Sequence, residues 1–250
     1  MMFYLGAHMP SWLHKPEIDF PLFISRRRLL RYKKPFKEAM TNWALDSGAF
    51  TELNMFGEWR TSVQQYAKEV KRYQEELGHI TWASCQDWMC EPFVLAKTGK
   101  TVQDHQRLTI DNYLEIKNIN PDLPIAPVLQ GWEIPDYLDH VNQYYNRGVD
   151  LTKEKIVGLG SVCRRQNTDE AEELVKILHG HNIKLHGFGF KILGLKRVKD
   201  HLASSDSMSW CLNASKQRPP YKCPLGNKSC SNCLHYAIEW RNKVMEIINA

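Results

Sequence analysis

Apolar and polar positions along the chain follow two rhythms. Short apolar runs occur at Phe3–Gly6, Leu22–Ser25, Trp43–Leu45, Ile80–Ser84, Ile125–Leu129, Ile156–Leu159, Leu185–Phe188 and Ala203–Trp210. They predict strands that are apolar on both sides because both faces are covered. Ser204, Ser205, Asp206 and Ser207 interrupt the last run. Longer amphipathic stretches separate the runs. Ser62–Leu77 places Val63, Tyr66, Val70, Tyr73 and Leu77 on one face at spacings of three and four. Thr101 predicts an N-cap for a helix over 102–118, and Thr168 for one over 169–179. Pro135 suits the first turn of a helix running to about Asn146. A last helix is expected over Leu234–Ile248. Residues 214–229, with Pro219, Pro220, Pro224 and Gly226, break the alternation.

Strand and helix in alternation is the pattern of a parallel α/β fold. Eight such units in a chain of 250 residues match a (β/α)8 TIM barrel, which takes about 250. The expected organisation is a catalytic barrel over 1–213 and a small metal-stapled segment with the terminal helix over 214–250.

Composition narrows the class. Hydrophobic residues make up 43% and charged residues 24%, a balance typical of a soluble globular chain. No apolar run approaches the roughly 18–20 residues of a membrane span. Met1–Pro10 lacks the layout of a secretory signal. These features predict a cytoplasmic protein. The net charge of +5 permits an anionic partner.

The residues at the strand ends suggest the chemistry. Asp46-Ser47-Gly48-Ala49-Phe50 comes after the third strand, Gln86-Asp87-Trp88 after the fourth, Gln130-Gly131-Trp132 after the fifth and Gly160-Ser161 after the sixth. The seventh carries His186 and Gly189, and the eighth Asp206. In a TIM barrel these ends open on the face that holds the active site. Any one Asp at a strand end also suits an N-cap, any one Gly a turn, and a lone His a structural role. The joint pattern at six successive strand ends singles the set out. Cleaving a sugar–base bond develops positive charge on the sugar, which one carboxylate can attack or stabilise while a second carboxyl protonates the leaving base. An Asp and a Gln side chain together match the mixed donors and acceptors of a guanine edge.

Leu45-Asp46-Ser47-Gly48-Ala49-Phe50 resembles the Asp-Ser-Gly-Gly-Phe motif of tRNA-guanine transglycosylases. Val128-Leu129-Gln130-Gly131 resembles their Val-Gln-Gly motif, and Gly158-Leu159-Gly160-Ser161-Val162 their glycine-rich base-binding strand. His186-Gly187-Phe188-Gly189 resembles the next strand of that family. The ordered set of Phe3-Tyr4-Leu5-Gly6, Ser25-Arg26-Arg27-Arg28, Gln86 to Phe93, Gly158 to Arg165 and Lys228 to Cys233 is still more similar to a smaller branch, the deazapurine DNA modification (DpdA) family. The resemblance implies that guanine in DNA is exchanged for a 7-deazaguanine such as 7-cyano-7-deazaguanine. Asp206 would be the nucleophile and Asp46 the general acid and base. Asp87, Gln130, Gly131, Gly158, Gly160 and His186 would bind the base. It implies no ATP or redox cofactor, and the related tRNA enzymes form dimers, so a homodimer is open. Ala49 departs from the tRNA enzymes, which have Gly there. The chain is also shorter than theirs and lacks room for much of their RNA-binding surface, which favours DNA over tRNA.

Cys223, Cys230 and Cys233 stand close together in a chain with seven cysteines. Cys-x6-Cys-x2-Cys supplies three of the four ligands of a structural zinc. The spacing differs from that of the tRNA enzymes. His235 is the nearest candidate for the fourth ligand, and Cys211 the next. Candidate phosphate contacts are Arg26, Arg27 and Arg28 in the basic run 26–34, Arg164 and Arg165 beside the glycine-rich strand, and Lys191. For the run 26–34 a solvated face fits equally well. Trp88, Trp132 and Trp210 near strand ends are candidates for stacking on a base or for packing. Three other activities fit some of these features. They are the same exchange on tRNA, a glycoside hydrolase using Asp46 and Asp206, and a zinc-stapled nucleic-acid-binding module without catalysis.

Overall fold

In the computed structural model, which describes residues 1–216, 223, 224, 226 and 229–250, the strands form one parallel sheet curled into a barrel. They are β1 (Met2–Ala7), β2 (Leu22–Ser25), β3 (Trp43–Asp46), β4 (Ile80–Ser84), β5 (Ile125–Ala126), β6 (Val128–Leu129), β7 (Val157–Leu159), β8 (Leu185–Gly187) and β9 (Ser204–Ser207). Their order is β5-β4-β3-β2-β1-β9-β8-β7-β6. The helices are α1 (Arg26–Leu29), α2 (Ala49–Phe56), α3 (Val63–Glu76), α4 (Pro92–Thr98), α5 (Val102–Ile119), α6 (Ile134–Asn146), α7 (Asp169–Gly180), α8 (Ile192–Val198), α9 (Ser209–Lys216) and α10 (Leu234–Asn249).

The run expected as one strand at 125–129 is split by Pro127, which has no N–H to give a sheet. Its first half pairs with β4 and its second with β7. The Ala126 carbonyl accepts from the Cys85 N–H at 3.1 Å, and the Pro127 carbonyl from the Gly158 N–H at 2.9 Å. The ring therefore closes through the covalent chain at Pro127, and the nine strand segments make eight passes.

Two-residue periodicity divides each strand between two environments. Phe3, Leu5, Leu22, Ile24, Trp43, Leu45 and Leu185 point outward and join the core beneath the helices. Tyr4, Phe23, Ala44, Trp82, Ala126 and Ile156 pack together inside the barrel. Each large apolar side chain so buried contributes about 1.5–3 kcal/mol.

The helix starts coincide with the capping residues. Ser62 Oγ accepts from the Gln65 N–H at 3.2 Å, and Thr168 Oγ1 from the Ala171 N–H at 3.2 Å. Thr101 and Asp104 form a reciprocal capping box. The eighth run differs from expectation. It ends at Ser207, and Ser209 onward is helical. Trp210 is fully buried there, its indole N–H donating to the Gly6 carbonyl at 2.8 Å. The boundary expected at 213/214 falls inside α9, and part of the 214–250 segment lies outside the described residues. Among the described residues no helix is long and apolar enough to cross a membrane.

Candidate active site

The strand C-termini surround a cavity of about 370 Å³, inside the range of about 300–1,000 Å³ usual for small-molecule sites. Counting by twos along the strands explains its walls. Gly6 lies two residues after the inward Tyr4, Ser25 two after Phe23, and Asp46 two after Ala44; all three line the cavity. Asp206 lies two after Ser204 and lines it too.

Asp206 is buried, and its Oδ1 accepts the Gly189 N–H at 2.9 Å. His186 Nε2 stands 3.3 Å from the same oxygen, and His186 Nδ1 2.8 Å from Ser204 Oγ. A carboxylate only accepts, so Nε2 carries the proton and Nδ1 takes the Ser204 hydroxyl. The imidazole lies among the rings of Tyr4, Phe23, Trp82 and Phe188. Burial there lowers its pKa against the raising effect of Asp206, so it is neutral. His186 is fully buried under the nucleophile candidate. It holds Asp206 rather than a base, which corrects the expectation for it.

Asp46 faces Asp206. Burial raises its pKa first, opposed by the Gly48 N–H and the Ser25 hydroxyl and reinforced by the Asp206 charge. The Gly48 N–H donates to Asp46 Oδ1 at 3.1 Å. Gly48 adopts φ +85°, the left-handed region that glycine enters at little cost. That turn starts α2 and aims the Asp46 carboxyl into the cavity. Ser47 serves the neighbouring wall, where its hydroxyl donates to Asp87 Oδ1 at 2.9 Å.

Asp87 and Gln130 form one wall. Gln130 Nε2 donates to Asp87 Oδ2 at 2.6 Å. Burial pushes the Asp87 carboxyl up to about 7, outweighing the lowering by Ser47, with the Asp46 charge adding to the rise. The folded protein thus holds this proton more tightly than an unfolded chain with its carboxyl near 3.8. Stability from protonated Asp87 is complete below about pH 4 and is lost as pH rises to about 7. Asp87→Asn should flatten that part of the profile, on the order of a few kcal/mol, in melts run from pH 4 to pH 8.

The glycines divide into two groups. A Cβ on Gly160 would lie 2.2 Å from Gln130 Nε2, so Gly160 makes room for the Gln130 amide. Gly160→Ala should displace Gln130 from Asp87 and Ser161 and cost about 1–3 kcal/mol of stability, read as a lower melting temperature. Gly158 instead accommodates the Phe188 ring, at 2.6 Å from such a Cβ. Gly131 accommodates Asp136 and Tyr137, at 2.8 and 2.9 Å. Neither Gly158 nor Gly131 is among the described residues lining the cavity, so their expected contact with a base is replaced by packing.

The wall also contains Ser161, which the strand-end pattern includes without assigning it a role, and Glu91, which that pattern does not include. Ser161 Oγ lies 2.7 Å from Gln130 Oε1 and 2.8 Å from Glu91 Oε2, and accepts the Cys90 N–H at 2.8 Å. Burial raises the Glu91 pKa, against the lowering by Ser161 and by the charges of Arg164 and Arg165. The signal available in the sequence is a carboxylate just before Pro92. Glu91 occupies the N-cap position of α4, yet its side chain makes no capping bond.

The cationic residues are placed unequally. Arg26 is buried and ion-paired to Glu69, with Glu52 at 3.8 Å and a bond to Thr61 Oγ1 at 2.8 Å. It braces α1 against α3 and is not on the surface, which corrects its expected phosphate contact. Arg27 pairs with Glu52 at 2.9 Å and is partly exposed. Arg28 lines the cavity, 3.1 Å from His8 Nδ1. Arg164 and Lys191 are exposed. The Arg164 guanidinium lies over the Phe93 ring at 4.5 Å and the Phe50 ring at 5.5 Å. Arg165 turns inward to Glu170 at 3.1 Å and over Trp132 at 4.6 Å, with its side chain 11% exposed, so its expected phosphate contact is also corrected. Trp88 and Trp210 are buried packing residues, whereas Phe50 and Phe93 stand exposed at the rim.

The sulfurs of Cys223, Cys230 and Cys233 lie within 4.8 Å of one another, Cys223 and Cys233 at 3.8 Å. Sulfurs bound at about 2.3 Å in a tetrahedron stand about 3.8 Å apart, so these three can hold a metal ion. Among the described residues neither His235 nor Cys211 joins that group; His235 lies 3.6 Å from Glu239.

The model of a protein family described as DpdA, DeoxyPurine in DNA protein A, matches residues 1–250. No curated protein matches. Two solved structures from Sinorhizobium meliloti, both described provisionally as an isomerase and one in an open-loop conformation, are similar at 11% identity and a TM-score of 0.42. The match covers 82% of this chain and 50% of theirs, so the chain spans about half the length of those proteins.

Proposed function

The chain belongs to the DpdA family, and from that premise we propose that it is a pentosyltransferase that replaces guanine in DNA with a 7-deazaguanine. The observation that carries the reading is the pair Asp46 and Asp206 opposed across a cavity whose wall is the hydrogen-bonded Asp87–Gln130 pair. Asp206 attacks the anomeric carbon with the oxygen that Gly189 does not hold. The bond to guanine breaks, and Asp46 gives its proton to a ring nitrogen of the departing base. The sugar is then esterified to Asp206. An incoming 7-deazaguanine loses its ring N–H proton to Asp46 and attacks the same carbon, releasing Asp206. Two displacements return the original stereochemistry.

Asp87 accepts from the guanine N1 and N2 donors, and the free N–H of Gln130 donates to O6. Arg28, Arg164 and Lys191 contact phosphates. A target base must leave the duplex stack, and exposed Phe50 and Phe93 at the rim offer rings for the bases beside it. Cys223, Cys230 and Cys233 would hold a zinc that ties the segment around 223–233 to α10 and supplies structure, not chemistry. Purified protein should contain one zinc per chain by elemental analysis, and Cys230→Ser should lose it and lower the melting temperature. A zinc-free wild type with the same melting temperature would refute that assignment.

The test of the activity is mass spectrometry of nucleosides after incubating DNA, and separately tRNA, with enzyme and isotope-labelled base. Label in DNA supports the proposal. Label in tRNA alone would change the polymer, and free sugar products without exchange would make the protein a hydrolase.

A further inference from the structure

Four cavity-lining side chains form one continuous hydrogen-bonded row: Asp87, Gln130, Ser161 and Glu91, joined at 2.6, 2.7 and 2.8 Å. The rim of a guanine or 7-deazaguanine carries its groups in a fixed order, from N2 through N1 and O6 to the 7-position. Asp87 suits the two donors, N2 and N1, and Gln130 suits O6. The next members of the row, Ser161 and Glu91, then stand beside the 7-position. We propose that Glu91, set by Ser161, reads the substituent at position 7 and selects a base bearing a hydrogen-bond donor there, an aminomethyl group, over one bearing a nitrile. The inference rests on the base-exchange reading.

Hydrogen-bond accounting gives the preference its direction. The Ser161 oxygen takes the Cys90 N–H at 2.8 Å and has one proton to share between Gln130 Oε1 and Glu91 Oε2. If that proton goes to Glu91, Oε2 accepts it, and once an approaching ammonium holds the carboxyl ionised both of its oxygens are acceptors. If it goes to Gln130, Glu91 must itself carry a proton to keep the second contact, and its other oxygen is still a carbonyl acceptor. In either arrangement the carboxyl keeps an acceptor oxygen, and among the described residues Ser161 is its only side-chain hydrogen-bond partner. A nitrile nitrogen is also only an acceptor, so it is opposed there, whereas an aminomethyl ammonium is a donor with complementary charge. The charges of Arg164 and Arg165 favour the ionised form of Glu91, yet neither forms an ion pair with it, because Arg165 is bonded to Glu170 and Arg164 lies over Phe93 and Phe50. Glu91 is also free to turn inward, since it does not cap the helix it precedes.

The experiment compares kcat/KM for 7-aminomethyl-7-deazaguanine and 7-cyano-7-deazaguanine on guanine-containing DNA, for wild type, Glu91→Gln and Ser161→Ala, with labelled guanine as a third base. A charge-assisted hydrogen bond corresponds to about 10- to 100-fold. Wild type should prefer the aminomethyl base by that factor, and Glu91→Gln should erase most of the preference. A wild type that exchanges labelled guanine but prefers the nitrile, or shows no preference, overturns the inference and leaves the base-exchange reading standing. A wild type that does not exchange even guanine overturns the base-exchange reading itself. The wild-type ratio decides the matter even if Glu91→Gln does not fold, and Ser161→Ala, which frees Glu91 from its fixed position, should narrow the ratio.

Discussion

Asp206→Asn should lower base exchange on DNA by on the order of 10^4-fold or more while the protein stays folded. The amide has the shape of the carboxylate, so it fits the same buried position at the end of β9. Its carbonyl can still accept the Gly189 N–H, which now reaches Oδ1 at 2.9 Å. The proposed nucleophile is removed, because a neutral amide does not attack an anomeric carbon. Wild-type enzyme mixed with DNA and quenched during turnover should show a protein–DNA adduct on a denaturing gel, and the variant should show none. A variant with exchange within tenfold of wild type would remove Asp206 from the reaction and shift attention to Asp46.

Asp46→Asn should cost about 10²–10⁴-fold, and it should also change the shape of the pH profile. Burial and the neighbouring Asp206 charge raise the Asp46 pKa. An acid that must be protonated to release guanine stops working as pH rises through its folded-state pKa, so single-turnover release in wild type should fall on the alkaline side. In Asp46→Asn the residual rate should lose that descending limb. Release that falls identically in wild type and variant would assign the limb to another group, with Asp87, near 7, the first to substitute.

The sequence reveals where the chemistry lies more readily than which atom does what. Polar residues at the ends of otherwise apolar runs mark the cavity face, because inside the barrel a carboxyl is tolerated where the strand ends open on the cavity and neighbouring groups hydrogen-bond it. That logic finds Asp46, Asp87, Gln130, Gly160 and Asp206, all of which line the cavity. It does not give depth. His186 shares the inward face with Asp206 but pairs with Ser204, at the start of β9, so it lies below the cavity. It does not give loops either. Glu91 reaches Ser161 across 70 residues of sequence, and no local spacing announces such a contact. The run 26–34 is misleading for a related reason: one helical turn sends Arg26 inward to Glu69 while Arg28 reaches the cavity. At Pro127 the periodicity is continuous, and only the missing N–H breaks the strand.

The division of each strand into outward and inward residues has a consequence for how such a protein changes over generations. Leu45 and Asp46 are neighbours in the chain, yet one joins the core beneath the helices and the other lines the cavity. A substitution at an inward strand end alters the cavity wall and leaves the outward core beneath the helices in place. A substitution at an outward position alters how tightly the shell sits and leaves the cavity unchanged. Heredity can therefore adjust the two almost separately. A lineage with this barrel can change a few cavity residues while the outward core that seats the helices stays as it is.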